Sequence, residues 1–204
     1  MSHETPDKIT LEMMRSSLYS AVVSDALDAL GYPRQSPRVP LAPLTTDTVL
    51  VGYCKTTLWE EIDATDPSPY ELELQAVDEC EPDDVLIAAA GGSIRSGIWG
   101  ELLSTAAVYR GANGAVIDGF TRDTKAIIEM GFPVFVRGIA PYDSKGRSDV
   151  IAYNIEIECG GVKVVPGDII FGDFDGVVVI PRSSEKAVLS AAFKKAQGEK
   201  EVKR

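Results

Sequence analysis

The chain has 204 residues, 45% of them hydrophobic and 25% charged, which is the composition of a globular domain with a real core and not of a disordered tail, a coiled coil or a disulfide scaffold. Asp and Glu number 31 against 20 Lys and Arg, a net charge of -11, which argues against a nucleic-acid partner whose phosphates must be neutralised. The single His, His3, lies at a terminus expected to fray, so mechanisms that need a positioned imidazole are excluded.

From Glu12 to Leu30 the residues Leu18, Val22, Val23, Ala26, Leu27 and Leu30 share one helical stripe, with Thr10 as a candidate N-cap and Gly31 then Pro33 as a stop. A Pro-rich connector leads to two short predicted strands, Thr48 to Val51 and Tyr53 to Thr57. Trp59 to Asp84 then holds eleven acidic side chains and no Lys or Arg, a window expected to be a solvated loop and helix face rather than a cation site. A helix from Tyr70 to Val77 falls inside it.

The clearest unit follows. Val85 to Ala90 reads as a buried strand, Gly91-Gly92 as a breaking turn, Gly100 to Tyr109 as a helix ended by Gly111, and Ala115 to Asp118 as a second buried strand. Strand, helix, strand implies a right-handed crossover between parallel strands. A second cycle runs through a helix at Asp123 to Met130 and a strand at Pro133 to Arg137. Beyond Tyr142, Tyr153 to Cys159, Gly160-Gly161 and Val162 to Val165 read as an antiparallel hairpin. Ile169 to Phe171 and Val177 to Ile180 are further strands, and a helix starts at Ser183, its first three turns docking through Val188, Leu189, Ala192, Phe193 and Ala196. No linker divides the chain, so residues 1–204 are expected to form one α/β domain.

Cys54, Cys80 and Cys159 are far apart and form no C-x-x-C pair, which suits packing residues of a reduced, cytoplasmic protein. No run approaches the roughly 18 apolar residues of a membrane span.

Two loops carry the candidate chemistry. The first, AAAGGSIRSGIWGEL, puts Gly91, Gly92, Gly97 and Gly100 between strand and helix, so free N–H groups near Gly100 to Leu103 can hold an anion; tight packing explains the glycines equally well. Arg95 in this loop reads as a partner of surface acids or as a reader of a second anionic group. The second loop is Asp118-Gly119-Phe120-Thr121-Arg122-Asp123. Its bland reading has Asp123 capping the next helix and Arg122 pairing with Asp118. The functional reading has a carboxylate ligating a hard divalent cation while the guanidinium grips a substrate carboxylate. Glu101 lies 21 residues before Arg122.

GGSIRSGIWGELLSTAAVYRGANGAVIDGFTRD, followed by GFPVFVRG and VVPGDIIFGDFDGVVVIP, resembles the class II 4-hydroxy-4-methyl-2-oxoglutarate aldolases, a family that also contains the regulators of ribonuclease activity. The resemblance covers nearly the whole chain. The family signature, an acid, twenty positions, then Arg-Asp, is met by Glu101 and Arg122-Asp123, although the pyruvate aldolases usually carry Asp where this chain has Glu101. The resemblance implies an α/β/β/α sandwich of swivelling-domain type, assembled as homotrimers or homohexamers. It further implies Mg2+ or Mn2+ held directly by Asp123 and through water by Glu101 and by Glu199 of a neighbouring subunit, with Glu201 as the alternative. Arg122 and the backbone N–H groups of Gly100, Glu101, Leu102 and Leu103 would bind a small keto acid. The expected activity is C–C cleavage of 4-hydroxy-2-keto acids, with oxaloacetate decarboxylation at the same site. A regulator that binds a ribonuclease through the acidic window, and a metal-assisted reaction on a sugar acid, are the competing readings.

Overall fold

The computed structural model describes residues 9–64 and 66–202, with the side chains of residues 200 and 201 outside the described set. His3 therefore lies outside it as well. Eleven strands and six helices are described. The first half contains α1 (Leu11–Ser17), α2 (Ser20–Ala29), β1 (Ala42–Pro43), β2 (Leu50–Glu61), α3 (Glu71–Asp78), β3 (Asp84–Ala89), β4 (Gly97–Trp99) and α4 (Glu101–Arg110). The second contains β5 (Gly114–Thr121), α5 (Thr124–Met130), β6 (Val134–Ile139), β7 (Ser148–Tyr153), β8 (Ile157–Cys159), β9 (Val162–Val164), β10 (Ile169–Asp173), β11 (Gly176–Ile180) and α6 (Glu185–Val202).

Both predicted crossovers are present: β3 pairs parallel with β5 across α4, and β5 pairs parallel with β6 across α5. The main sheet runs β1-β6-β5-β3-β2-β10-β11, with β10 antiparallel to both neighbours. It curls until it is almost closed. The connector before β1 completes the closure, since Val179 N–H donates to the Gln35 carbonyl at 2.7 Å and Gln35 Nε2 to the Val179 carbonyl at 2.9 Å. That covers an edge strand which would otherwise present unpaired backbone groups.

Three apolar clusters follow from this curl. One lies between α1, α2, α6 and the β2, β10, β11 half of the sheet, and includes Val22, Leu27, Phe171 and Leu189. Another lies between α3, α4, α5 and the β3, β5, β6 half, and includes Leu86, Ile117, Ile127 and Phe132. The third fills the space between the sheet halves, where Ile87, Val116, Phe135 and Ile170 meet the β8–β9 hairpin. Alternation along β3 explains the division, Leu86 and Ala88 facing the helices while Val85, Ile87 and Ala89 face inward. The result is the expected α/β/β/α layering with its antiparallel hairpin.

The structure corrects several expected boundaries. The single helix over 12–30 is two helices broken at Leu18-Tyr19, although Thr10 does cap α1, its hydroxyl accepting from Met13 N–H at 3.2 Å. The two strands around Gly52 are one 12-residue strand, β2. Gly52 is there for proximity: a Cβ would lie 2.3 Å from the Asp83 carbonyl oxygen. The hairpin spans only Ile157–Cys159 and Val162–Val164, and β4 and β7 are additional strands. All three cysteines are free and buried, as expected for packing residues. Among the described residues no helix is long and apolar enough to cross a membrane.

Candidate functional site

The strand β4 brings the two loops together. It pairs with β5, and the Trp99 carbonyl accepts both the Arg122 N–H at 2.9 Å and the Thr121 hydroxyl at 2.8 Å. Trp99 itself is buried, with its indole N–H donating to Ser104 Oγ at 2.8 Å and its ring stacked near Phe132. Gly100, the residue after β4, is the N-cap of α4 and therefore sits directly against the Arg122-Asp123 pair. A Cβ on Gly100 would lie 2.7 Å from Asp123 Oδ2, so a side chain there would have to displace the carboxylate. Its φ of -154° is ordinary extended backbone, so the glycine answers to space and not to strain.

Asp123 does not cap α5. It adopts φ 55°, ψ 31° and makes no side-chain hydrogen bond to that helix. Its carboxylate is turned instead toward the start of α4, where Glu101 N–H approaches Oδ2 at 3.3 Å, with Arg122 Nε 3.8 Å from the same oxygen. The left-handed conformation, uncommon outside Gly, Asn and Asp, is what re-aims the side chain. Leu102 and Leu103 follow Glu101 in the first turn, where backbone N–H groups have no intrahelical acceptor. An anion near Asp123 would thus meet a guanidinium and a helix N-terminus.

Arg122 does not pair with Asp118. Asp118 is buried and committed to Arg137 and to the Gly160 N–H at 2.9 Å, on the inward side of the sheet. Arg122 instead reaches Asp143, in the loop after β6, with Nη2 3.2 Å from Oδ1. Asp143 also accepts a hydrogen bond from Tyr70 Oη at 2.6 Å. Partial burial pushes the Asp143 carboxyl up, but the Tyr70 hydroxyl and the Arg122 guanidinium outweigh it and hold the group below its ordinary range. Neither Asp143 nor Tyr70 belongs to a sequence motif, and their distance along the chain from Arg122 hides them from any reading of spacing.

The acids of the window are exposed except Asp84, which is half-buried at the start of β3, and Glu73. Glu73 is buried, its Oε2 has no hydrogen-bond partner among the described residues, and burial together with Asp143 and Asp149 pushes its carboxyl up to about 8. It lines a cavity of about 280 Å³ with Asp66, Ser68, Tyr70 and Asp149. Arg95 pairs with Asp63 at 3.2 Å and Glu61 at 3.5 Å, which commits it to the window. Lys125 pairs with Glu129, 3.8 Å away on the surface.

Glu199 lies on the opposite helical layer, where it accepts a hydrogen bond from Tyr19. That bond, with some burial, raises the Tyr19 hydroxyl to about 12. Glu199 does not join Glu101 and Asp123 within one chain, and the Glu201 side chain lies outside the described set. Among the described residues no group of three His, Cys, Asp or Glu is assembled as a metal cage. What the site offers is the Asp123 carboxylate, with Glu101 the neighbouring acid at the start of α4, and no imidazole or thiolate. That donor set fits a cation such as Mg2+ or Mn2+, which is commonly held by one or two carboxylates with water and substrate completing its shell.

The sequence model of the RraA-like family, described as Aldolase/RraA, matches residues 20–179. A protein of Halalkalibacterium halodurans, provisionally named a 4-hydroxy-4-methyl-2-oxoglutarate aldolase, is 36% identical over 173 residues, covering 85% of this chain and 77% of its own. Among solved structures, Streptomyces coelicolor RraAS2, titled an unusual member of the RNase ES inhibitor RraA protein family, superposes with a TM-score of 0.85 at 28% identity over 98% of both chains. A structure titled as one of several novel cellulases from gut-associated microbes superposes with a TM-score of 0.88 at 27% identity, covering 98% of this chain and 90% of the other.

Proposed function

Since this chain belongs to the Aldolase/RraA family, we propose that it is a divalent-metal-dependent lyase that breaks a C–C bond in small 2-keto acids. The observation that carries the reading is the Asp123 carboxylate, withheld from helix capping and set between the start of α4 and the Arg122 guanidinium. Asp123, with Glu101 acting through water and Glu199 supplied by a neighbouring subunit, would hold Mg2+ or Mn2+. That ion, when bound, supplies Lewis-acid polarisation of the substrate's keto oxygen.

The remaining steps belong to side chains and backbone. Arg122 forms a charge-assisted pair with the keto acid's carboxylate, helped by the N–H groups of the α4 first turn, Gly100 to Leu103. For a 4-hydroxy-2-keto acid, Glu101 takes the hydroxyl proton through a water. The C–C bond then breaks, leaving a carbonyl on one fragment and the electron pair in the enolate of the other. Arg122 places fixed positive charge where that negative charge develops. For oxaloacetate the same enolate forms by loss of CO2, and no proton acceptor is needed. The shared role of Glu199 makes a homotrimer or homohexamer the proposed working form, and three reduced cysteines suit a cytoplasmic setting.

The test is pyruvate release from 4-hydroxy-4-methyl-2-oxoglutarate and from oxaloacetate, with Mg2+ or Mn2+ and with EDTA, for the native chain, Asp123→Ala and Arg122→Ala. Metal-dependent turnover lost in both variants is the expected result. No turnover of either compound would remove the reading and favour a protein-binding regulator. The likeness to RraAS2 and the largely exposed acids between Trp59 and Asp84 speak for that alternative.

A further inference from the structure

Arg122 is held by Asp143, which is in turn held by Tyr70, both far away in the sequence. Asp143 Oδ1 lies 3.2 Å from Nη2 and also accepts the Ser144 N–H at 2.8 Å, while Oδ2 accepts the Tyr70 hydroxyl at 2.6 Å. The Asp143 carbonyl accepts from Arg147 Nη1 at 3.1 Å, which fixes the loop that carries the carboxylate. Tyr70 stands just before α3 with φ 73°, an outlier for an aromatic residue and of the kind that persists only where surrounding contacts impose it. Burial and the Asp143 carboxylate push the Tyr70 hydroxyl up to about 12, so it stays a donor throughout the neutral range while Asp143 stays an acceptor.

A guanidinium has five N–H donors in a rigid plane. Asp143 takes one edge, Asp123 approaches Nε no closer than 3.8 Å, and the Arg122 side chain remains one-third exposed, so donors are left for a ligand. We propose that Asp143 and Tyr70 are positioning residues that fix the plane of the Arg122 guanidinium for a substrate carboxylate, an assignment that rests on the keto-acid reading of Arg122. The arrangement trades part of the arginine's long-range attraction for a preset orientation, which lowers the ordering cost of binding.

Steady-state kinetics with oxaloacetate separate this role from a merely structural one. Asp143→Ala is expected to lower kcat/KM about tenfold, mainly through KM, because an unanchored guanidinium must be ordered by the substrate. Asp143→Asn keeps an oxygen for Arg122 and is expected to recover most of that loss, while Tyr70→Phe raises KM about two- to threefold. An unchanged KM in Asp143→Ala, or an Asn variant no better than Ala, overturns the proposal. A second readout needs no turnover: phenylglyoxal modification of Arg122, followed by mass spectrometry, is expected to be at least about threefold faster in Asp143→Ala and near native in Asp143→Asn. If the native chain turns over neither keto acid, the keto-acid reading fails by itself, and an unchanged modification rate then overturns the anchoring of Arg122 separately.

Discussion

The Cα of Gly100 faces the carboxylate of Asp123 so closely that a methyl group there would stand 2.7 Å from Oδ2. The obstructing atom is the end of a movable side chain, and the Gly100 backbone is unstrained. Gly100→Ala is therefore expected to cost less than about 1 kcal/mol of stability. The same substitution displaces the carboxylate, and turnover is expected to fall at least about tenfold, since misplacement near 1 Å is expensive at a reacting centre. Denaturant unfolding and pyruvate release on the same preparation check both halves.

Asp123→Asn tests charge without shape. Asn tolerates the left-handed region that Asp123 occupies, so the thermal midpoint should not drop. Metal-dependent turnover should fall about a hundredfold or more, because several kcal/mol of Lewis-acid assistance depend on holding the cation. Calorimetric titration with Mn2+ gives the affinity directly and would expose a wrongly assigned ligand.

Glu101→Gln distinguishes the two reactions. Cleavage of a 4-hydroxy acid needs an acceptor for the hydroxyl proton, worth typically about 10²- to 10⁴-fold, whereas loss of CO2 does not. The variant should lose most of its aldol cleavage and keep most of its oxaloacetate decarboxylation, measured side by side. Equal losses in the two would contradict the role of Glu101.

Glu73 sets an alkaline limit on stability. The ordinary carboxyl value is 4.5 and burial raises that of Glu73 to about 8, with Asp149 on β7, Asp143 after β6 and Arg122 after β5 acting on it. Below the lower value both folded and unfolded chains hold the proton, and the stabilisation is complete. As pH rises toward about 8 the unfolded chain has released its proton while the folded chain keeps it, so stability falls by up to about 1.4 kcal/mol per pH unit. Glu73→Gln has no such proton. Its thermal midpoint should exceed the native one by a margin that grows between those pH values and levels off above them.

The crossovers were legible because β3 and β5 are apolar on both faces and bounded by glycine, a pattern that needs no tertiary information. The break at Leu18-Tyr19 was not, because the apolar stripe continues through it and both halves pack on the same sheet. β4 has three residues inside a glycine loop, too few to show alternation, yet it seats Gly100 against Asp123. For the candidate site, Glu101, Arg122 and Asp123 come from the resemblance and its signature; their spacing alone leaves the bland pairing and capping roles open. Asp143, Tyr70 and Glu73 had no local signature, since Asp143 reaches Arg122, and Tyr70 and Glu73 come near Asp143, only once α3, β7 and the loop after β6 have packed. The pairing of Arg122 with Asp118 failed for a related reason. Adjacent strands offered Asp118 the Arg137 guanidinium on the inward face, and Arg122 emerges beyond the end of β5.

The two sides of the site come from different kinds of structure. Arg122, Asp123 and Gly100 hang from strands whose neighbours are buried on every side, whereas Tyr70 and Asp143 arrive on a helix start and a surface loop. Core packing restrains the first group, and substitutions beneath it carry the cost of disturbing a closed sheet. The second can be lengthened, recharged or exchanged at little cost to the fold. On the keto-acid reading, such a division would let the Arg122-Asp123 pair stay fixed while the groups that orient it are exchanged.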